Sequence, residues 1–300
     1  MDIKNIDIKS KMRFGINTLS KGLNKGISNE MTSFDIASIK TYLNPINRIK
    51  RGIEDGFNHF ELSYDINFLL PGIFNKEIIM EMLTLKEKHE ITFSVHLPFK
   101  AIDFSYPHPD VNEAYAKLMS DVIKNVTSLE VEAFVLHATG KLAEKAMETP
   151  AGESVVKHLL EFSSKAIVRI LNDTKIESNK IAVENMAIPF NLMDDMIDDL
   201  GLSICMDAGH ILSGVSGDYT LKSFLDEYYD KIAEIHFHDG YNRFELGEHA
   251  SKAHIALGKG DMDPVWFINE LKRRGYDKSI VFEMSSYKDI LESYNKLREM

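Results

Sequence analysis

The chain of 300 residues holds one cysteine, Cys205, so no disulfide can close within it, and a reducing, cytoplasmic setting is expected. No apolar run approaches the roughly 20 residues of a spanning helix, and the opening MDIKNIDIKSK lacks the apolar stretch of a signal peptide. A membrane role is therefore not expected. Positive charge is also short. The 35 Lys and Arg face 46 Asp and Glu, a formal net charge of -11, which disfavours a broad phosphate-tracking surface and nucleic acid as a partner. No glycine-rich phosphate loop follows a strand-like run, which argues against an open doubly wound sheet. There is no internal repeat and no low-complexity tract. What is present is ordinary globular composition, 44% hydrophobic and 27% charged, on a chain long enough to bury a substantial core.

The stretch SICMDAGHILSG, from Ser203 to Gly214, organises the reading. Ile204 and Met206 alternate with Cys205 and Asp207, so in a strand Asp207 points away from the bulky residues. A glycine then lets His210 bend back toward the same mouth, giving an Asp-x-x-His pair suited to a divalent metal or its substrate. By itself such a pair is more often turn chemistry. The same construction recurs, however. Runs ending at His96, His137, Glu184, Asp207, His236 and Glu283 all place large apolar residues one step out of phase with the ionisable one. One phase should pack on helices; the other should line a common interior.

In order along the chain, residues 1–11 read as a polar leader and 12–300 as one domain. Strands are expected at Arg13 to Asn17 and Phe57 to Leu62, then at the six runs above. Helices are expected between them: after Asn44-Pro45, from Asn75 to Glu90, near Asp110, through the crossover from Lys141 to Asp173, around Leu192 to Leu200, from Leu221 to Tyr229, after Asp263-Pro264 and from Tyr287. A polar loop, Ser20 to Ser33, follows the first strand. Another, Gly240 to Asp261, carries Arg243, Glu245, Glu248, His249, Lys252 and His254, and loops of that length usually cover a site. Eight strands alternating with helices predict an α/β fold, a single (β/α)8 barrel whose active site lies at the carboxyl ends of its strands.

All six ionisable ends then fall on one rim. Glu184, Asp207 and Glu283 in one cavity repel each other unless a cation holds them, so with His236 they imply a metal. His59 and Glu61, on an early strand, read as a satisfied buried pair. His238 reads equally as a substrate contact, a hydrogen-bonding support or a ligand. His89, His108, His158 and His249 read as surface or loop residues.

The motifs VHLPF, VLHATG, AVEN, MDAGH, IHFHD, LGKGDMD and FEM resemble, in order and strand position, the xylose isomerase-like TIM barrels, the superfamily of endonuclease IV and many sugar isomerases and epimerases. In the isomerase branch this resemblance implies one metal on Glu184, Asp207, His236 and Glu283. In the endonuclease IV branch it implies a second metal on His96 and His137 with Glu184 bridging. That branch also has a third site, which His210 and His254 match while Lys252 stands where an Asp is expected. AVENMAIPFNL and IHFHDG look more like cobamide-remodelling phosphodiesterases. The expected cofactor is zinc or manganese, one or two per chain. The expected activity is hydrolysis of a small phosphodiester, a corrinoid nucleotide loop being the narrowest form. Glu184, Glu283 and Asp207 are the expected catalytic residues, with His210, His238, Arg243, Lys252 and His254 toward a small phosphorylated or nucleotide-bearing substrate. The alternatives are sugar or sugar-phosphate isomerisation or epimerisation, with Glu184 and Glu283 exchanging a proton, and endonuclease IV-like incision at abasic sites.

Overall fold

The computed structural model describes residues 11–18, 43–100, 102–241, 253–284 and 286–299. Eight parallel strands run in the order of the chain: β1 (Arg13–Asn17), β2 (His59–Ser63), β3 (Thr92–His96), β4 (Phe134–Leu136), β5 (Ile181–Glu184), β6 (Ser203–Asp207), β7 (Ile232–Phe237) and β8 (Ser279–Phe282). Each pairs with the next, and β8 returns to β1, so the barrel is closed and exposes no sheet edge.

The helices between them form where their caps satisfy the first N–H groups. Asn44 accepts from Ile46 N–H ahead of α1 (Pro45–Glu54), and Asn75 caps α3 (Lys76–His89), which follows the short α2 (Ile66–Leu69). Next come α4 (Pro109–Val126), α5 (Lys141–Met147) and α6 (Gly152–Thr174); the last two together form the long crossover. The acid run of α7 (Asp194–Leu200) faces solvent except at Asp194, which accepts a bond from the Tyr228 hydroxyl at 2.9 Å. A turn of helix, α8 (Ala208–Leu212), precedes α9 (Leu221–Tyr228), and Thr220 and Ser223 cap α9 reciprocally. Asp263 caps α10 (Pro264–Arg274) with proline at its first turn, as expected, and α11 (Tyr287–Glu299) closes the ring.

The two strand phases part as expected. Outward residues such as Phe60, Phe93, Val183, Met206, Phe237 and Phe282 are fully or almost fully buried and join the helices in one continuous core. Each such side chain contributes about 1.5–3 kcal/mol. The inward phase divides. On the β4 to β6 side it holds a separate small cluster of Ala133, Val135, Ala182 and Cys205. On the opposite side it is polar, with His59, Glu61, Ser94, Glu234 and Ser279 fully buried. Barrel interiors are more commonly filled by branched apolar side chains, so each of these polar groups needs a partner. No helix among the described residues is long and apolar enough to cross a membrane.

Candidate metal centre

Asp207 shows how the local chain builds the centre. Its carboxylate is the N-cap of α8: Oδ1 accepts from His210 N–H at 2.6 Å, and this turn carries the His210 ring back toward the strand ends. Oδ2 turns to the mouth, where it accepts from His238 Nε2 at 2.9 Å and lies 3.4 Å from His210 Nδ1 and 3.9 Å from His236 Nδ1. The Asp-x-x-His motif is thus turn chemistry at one oxygen and site chemistry at the other. Gly209 is required between them, because a Cβ there would lie 2.0 Å from the His238 ring.

Four residues from four strand ends, Glu184, Asp207, His236 and Glu283, bring ligand atoms within 4.8 Å of one another. His236 Nδ1 lies 3.0 Å from Glu283 Oε2 and 3.7 Å from Glu184 Oε1. Yet His236 Nδ1 and Glu283 Oε2 are both buried without a hydrogen bond, so neither points its lone pair or proton at the other. Two orphaned donor atoms facing one space, among three carboxylates, fit a divalent cation. The other nitrogen of His236 is held: Nε2 donates to Glu61 Oε2 at 3.0 Å, and Asn17 fixes that carboxylate through a 2.6 Å bond to Oε1. This fixes the ring so that Nδ1 faces the centre.

A second group adjoins the first. His137 Nε2 stands 2.8 Å and His96 Nε2 3.3 Å from Glu184 Oε2, while Glu184 Oε1 faces His236 and, at 3.4 Å, His210. One carboxylate therefore divides its two oxygens between two clusters. Phe99 covers both histidines, ring centroids 4.9 Å from His96 and 4.4 Å from His137. A third group is His210, His238 and His254. His254 donates from Nδ1 to the Glu283 carbonyl at 2.9 Å, and His238 lies against it at 4.1 Å between centroids.

The electrostatics express this crowding. Burial opposes charge on Glu184, yet His137 and His236 hold its carboxyl well below the ordinary value. Burial likewise opposes charge on Asp207, but His210 and His238 depress it. Glu283 is brought down to about 2 against burial, chiefly by His236. Burial would lower His96; Glu61, Glu184 and Glu283 outweigh it and raise the ring to about 9. His236 is raised against burial by Cys205 and the carboxylates Glu61, Glu283 and Glu184. His210 alone among these rings is lowered, because burial outweighs its carboxylate neighbours.

The structure thus gathers His96, His137, Glu184, Asp207, His210, His236, His238, His254 and Glu283 at one mouth. Arg243 and Lys252, with His249 and the Ser20 to Ser33 loop, lie outside the described residues. His89, His108 and His158 are exposed, as expected. His59 and Glu61 are both buried and satisfied, as expected, but not by each other: His59 Nε2 bonds Glu234 Oε2 at 3.1 Å, and Glu61 serves His236. Residues two apart on a strand sit about 6–7 Å apart, in different layers of the barrel, so each finds its partner across the interior instead. Sequence reasoning also missed Asn185, in AVEN. Its side chain accepts from Asp207 N–H at 2.6 Å and donates to the Asp207 carbonyl at 3.0 Å, locking the ends of β5 and β6 together. The only signal was its place directly after a strand-end ligand.

Over 234 residues, 74% of each chain, the protein is 24% identical to the uncharacterized protein MJ1311 of Methanocaldococcus jannaschii. Two solved structures share the fold: a D-tagatose 3-epimerase-like protein (19% identity, TM-score 0.65, 96% of each chain covered) and the 3-keto-D-glucoside 4-epimerase YcjR of E. coli (13% identity, TM-score 0.66, 96% of this chain and 100% of that one). The corrinoid expectation has no counterpart among these three. A family model described as xylose isomerase-like TIM barrel matches residues 50–300, and the chain belongs to that family.

Proposed function

We propose that this chain is a divalent-metal-dependent isomerase or epimerase of a sugar or sugar phosphate, with Glu184 and Glu283 as its proton-exchanging pair. The observation that carries the reading is the orphaned pair His236 Nδ1 and Glu283 Oε2, with Glu184 facing them from a strand three steps round the barrel. The epimerase names of two proteins with this fold favour it over hydrolysis. Glu184, Asp207, His236 and Glu283 would hold the cation, zinc or manganese, which supplies Lewis-acid polarisation of a substrate carbonyl. Glu184 and Glu283 are both held ionised at neutral pH, so either is able to take the proton from the carbon beside that carbonyl, and the other returns one after taking a proton from solvent. His210 and His254 line the same mouth and offer ring nitrogens to substrate hydroxyls, while both ring nitrogens of His238 are engaged, Nε2 by Asp207 and Nδ1 by His254 N–H. Phe99, against His96 and His137, gives that side of the mouth an apolar wall.

A second reading is favoured by the division of Glu184 between two clusters. His96, His137 and Glu184 have the composition of a further cation site, and two cations bridged by a carboxylate suit hydrolysis of a small phosphodiester, whether a corrinoid nucleotide loop or an abasic site. Incubation in heavy water separates the two. Metal-loaded protein with free and phosphorylated ketoses should incorporate deuterium at the exchanging carbon and leave a chromogenic diester, a cobamide and an abasic duplex intact. His96→Ala should keep most of that exchange. Cleaved diester with unlabelled ketoses would overturn the isomerase reading.

A further inference from the structure

The glycine-rich turn LGKGDMD, residues 257–263, directs its backbone N–H groups at one buried spot, and the group filling that spot is the chain's own Asp239. Oδ1 accepts from Gly240 N–H at 2.8 Å and Met262 N–H at 3.0 Å; Oδ2 accepts from Gly258 at 2.7 Å and Gly260 at 2.9 Å. The backbone of Asp239 also exchanges bonds with Ile255 at 3.0 and 3.3 Å. The turn is shaped to this carboxylate. A Cβ on Gly260 would fall 2.5 Å from Asp239 Oδ1 and 2.3 Å from the Gly240 carbonyl, and Gly258 sits at φ +75. Such a nest of donors would otherwise suit a phosphate. With the donors taken internally, the turn works as a latch.

What the latch restrains is His254, directly before Ile255. Its φ is 59, a region costly for a residue with a Cβ and kept only where the surroundings over-determine it. Its N–H donates to His238 Nδ1 at 2.9 Å and its Nδ1 donates to the Glu283 carbonyl, leaving Nε2 as the free ring atom. We infer that Asp239 is a positioning residue, which latches residues 255–262 and so holds His254 in the orientation that meets substrate. The inference rests on the proposed reaction only for what His254 touches.

Asp239→Asn keeps the shape but turns an amide N–H2 toward N–H donors. It should speed hydrogen exchange at Gly258, Gly260 and Met262 and abolish the slowly exchanging His254 Nδ1–H resonance, with metal content unchanged. Activity on the ketose panel should fall about 10²-fold, as for a misplaced contact. The double variant Asp239→Asn, His254→Ala should be no worse than His254→Ala alone. Gly260→Ala, which presses on the same carboxylate from the loop side, should reproduce the loss and stands in should Asp239→Asn not fold. An intact His254 resonance, or losses that multiply in the double variant, would overturn the latch. A lost resonance in a protein that turns over no ketose supports the latch and removes the reaction reading alone.

Discussion

Two histidine-carboxylate pairs lie one above the other inside the barrel, the lower fully buried and the upper with Glu283 partly exposed at the mouth. His59 and Glu234 approach to 3.1 Å, His236 and Glu283 to 3.0 Å. In the lower pair every polar atom has a partner: His59 Nδ1 meets the Thr92 hydroxyl at 2.7 Å, its Nε2 meets Glu234, and Ser94 donates to the other Glu234 oxygen at 3.0 Å. In the upper pair His236 Nδ1 and Glu283 Oε2 have none. Proximity is therefore a poor guide to function; hydrogen-bond satisfaction tells the pairs apart. A satisfied pair specifies the core, and an unsatisfied one is waiting for a ligand.

The largest effect should come from the upper pair's neighbour. Glu184→Gln removes a carboxylate that faces both clusters, so metal and activity should be lost together, by more than the 10–100-fold that attaches to supporting partners. Elemental analysis beside a thermal melt checks it; activity near that of the unaltered protein would remove Glu184 from the mechanism. Glu61→Gln acts one step further out. It loosens the orientation of His236 and should weaken metal affinity by about 10–100-fold while the barrel stays folded, as read by competition with a chelating dye.

The lower pair should answer in stability instead. Glu234→Gln leaves a single acceptor oxygen for His59 and Ser94 and sets an amide N–H2 against the other, and should cost about 3–5 kcal/mol in denaturant unfolding, with metal content unchanged. A metal-depleted but fully stable Glu234→Gln protein would erase the distinction between the pairs.

The smallest effect is in pH. In metal-free protein Glu283 is held at about 2 against an ordinary 4.5, so its contribution to stability is complete above 4.5 and is lost as pH falls toward 2. His96, raised from 6.5 to about 9, contributes fully below 6.5 and loses that contribution as pH rises through 9. Melting temperature should thus decline on both flanks. Metal should be taken up with release of protons at neutral pH, because raised rings must shed theirs to become ligands. Calorimetry in two buffers of different ionisation enthalpy measures the release, and a buffer-independent heat would refute it.

Much of this was legible in the chain. Alternation with a period of two marked which residues face inward, and ionisable residues at the ends of such runs marked the rim, because side-chain direction in a strand is a local property. Glu184, Asp207, His236 and Glu283 needed no contact information to be named. Caps such as Asn75 and Asp263 were equally local, since each satisfies N–H groups within three residues of itself.

Pairing was another matter. Phase says that Glu61 faces inward; it does not say that the residue it meets is His236, 175 positions away, because closure and stagger of the barrel set height and azimuth together. The same holds for the division of Glu184 between two clusters and for Asp239 in its nest of amides. Sequence by itself determined which side chains enter the interior, because that depends on neighbouring residues alone. Only the tertiary structure decided which of them are satisfied there and which are left open, because satisfaction depends on partners that closing the barrel brings together.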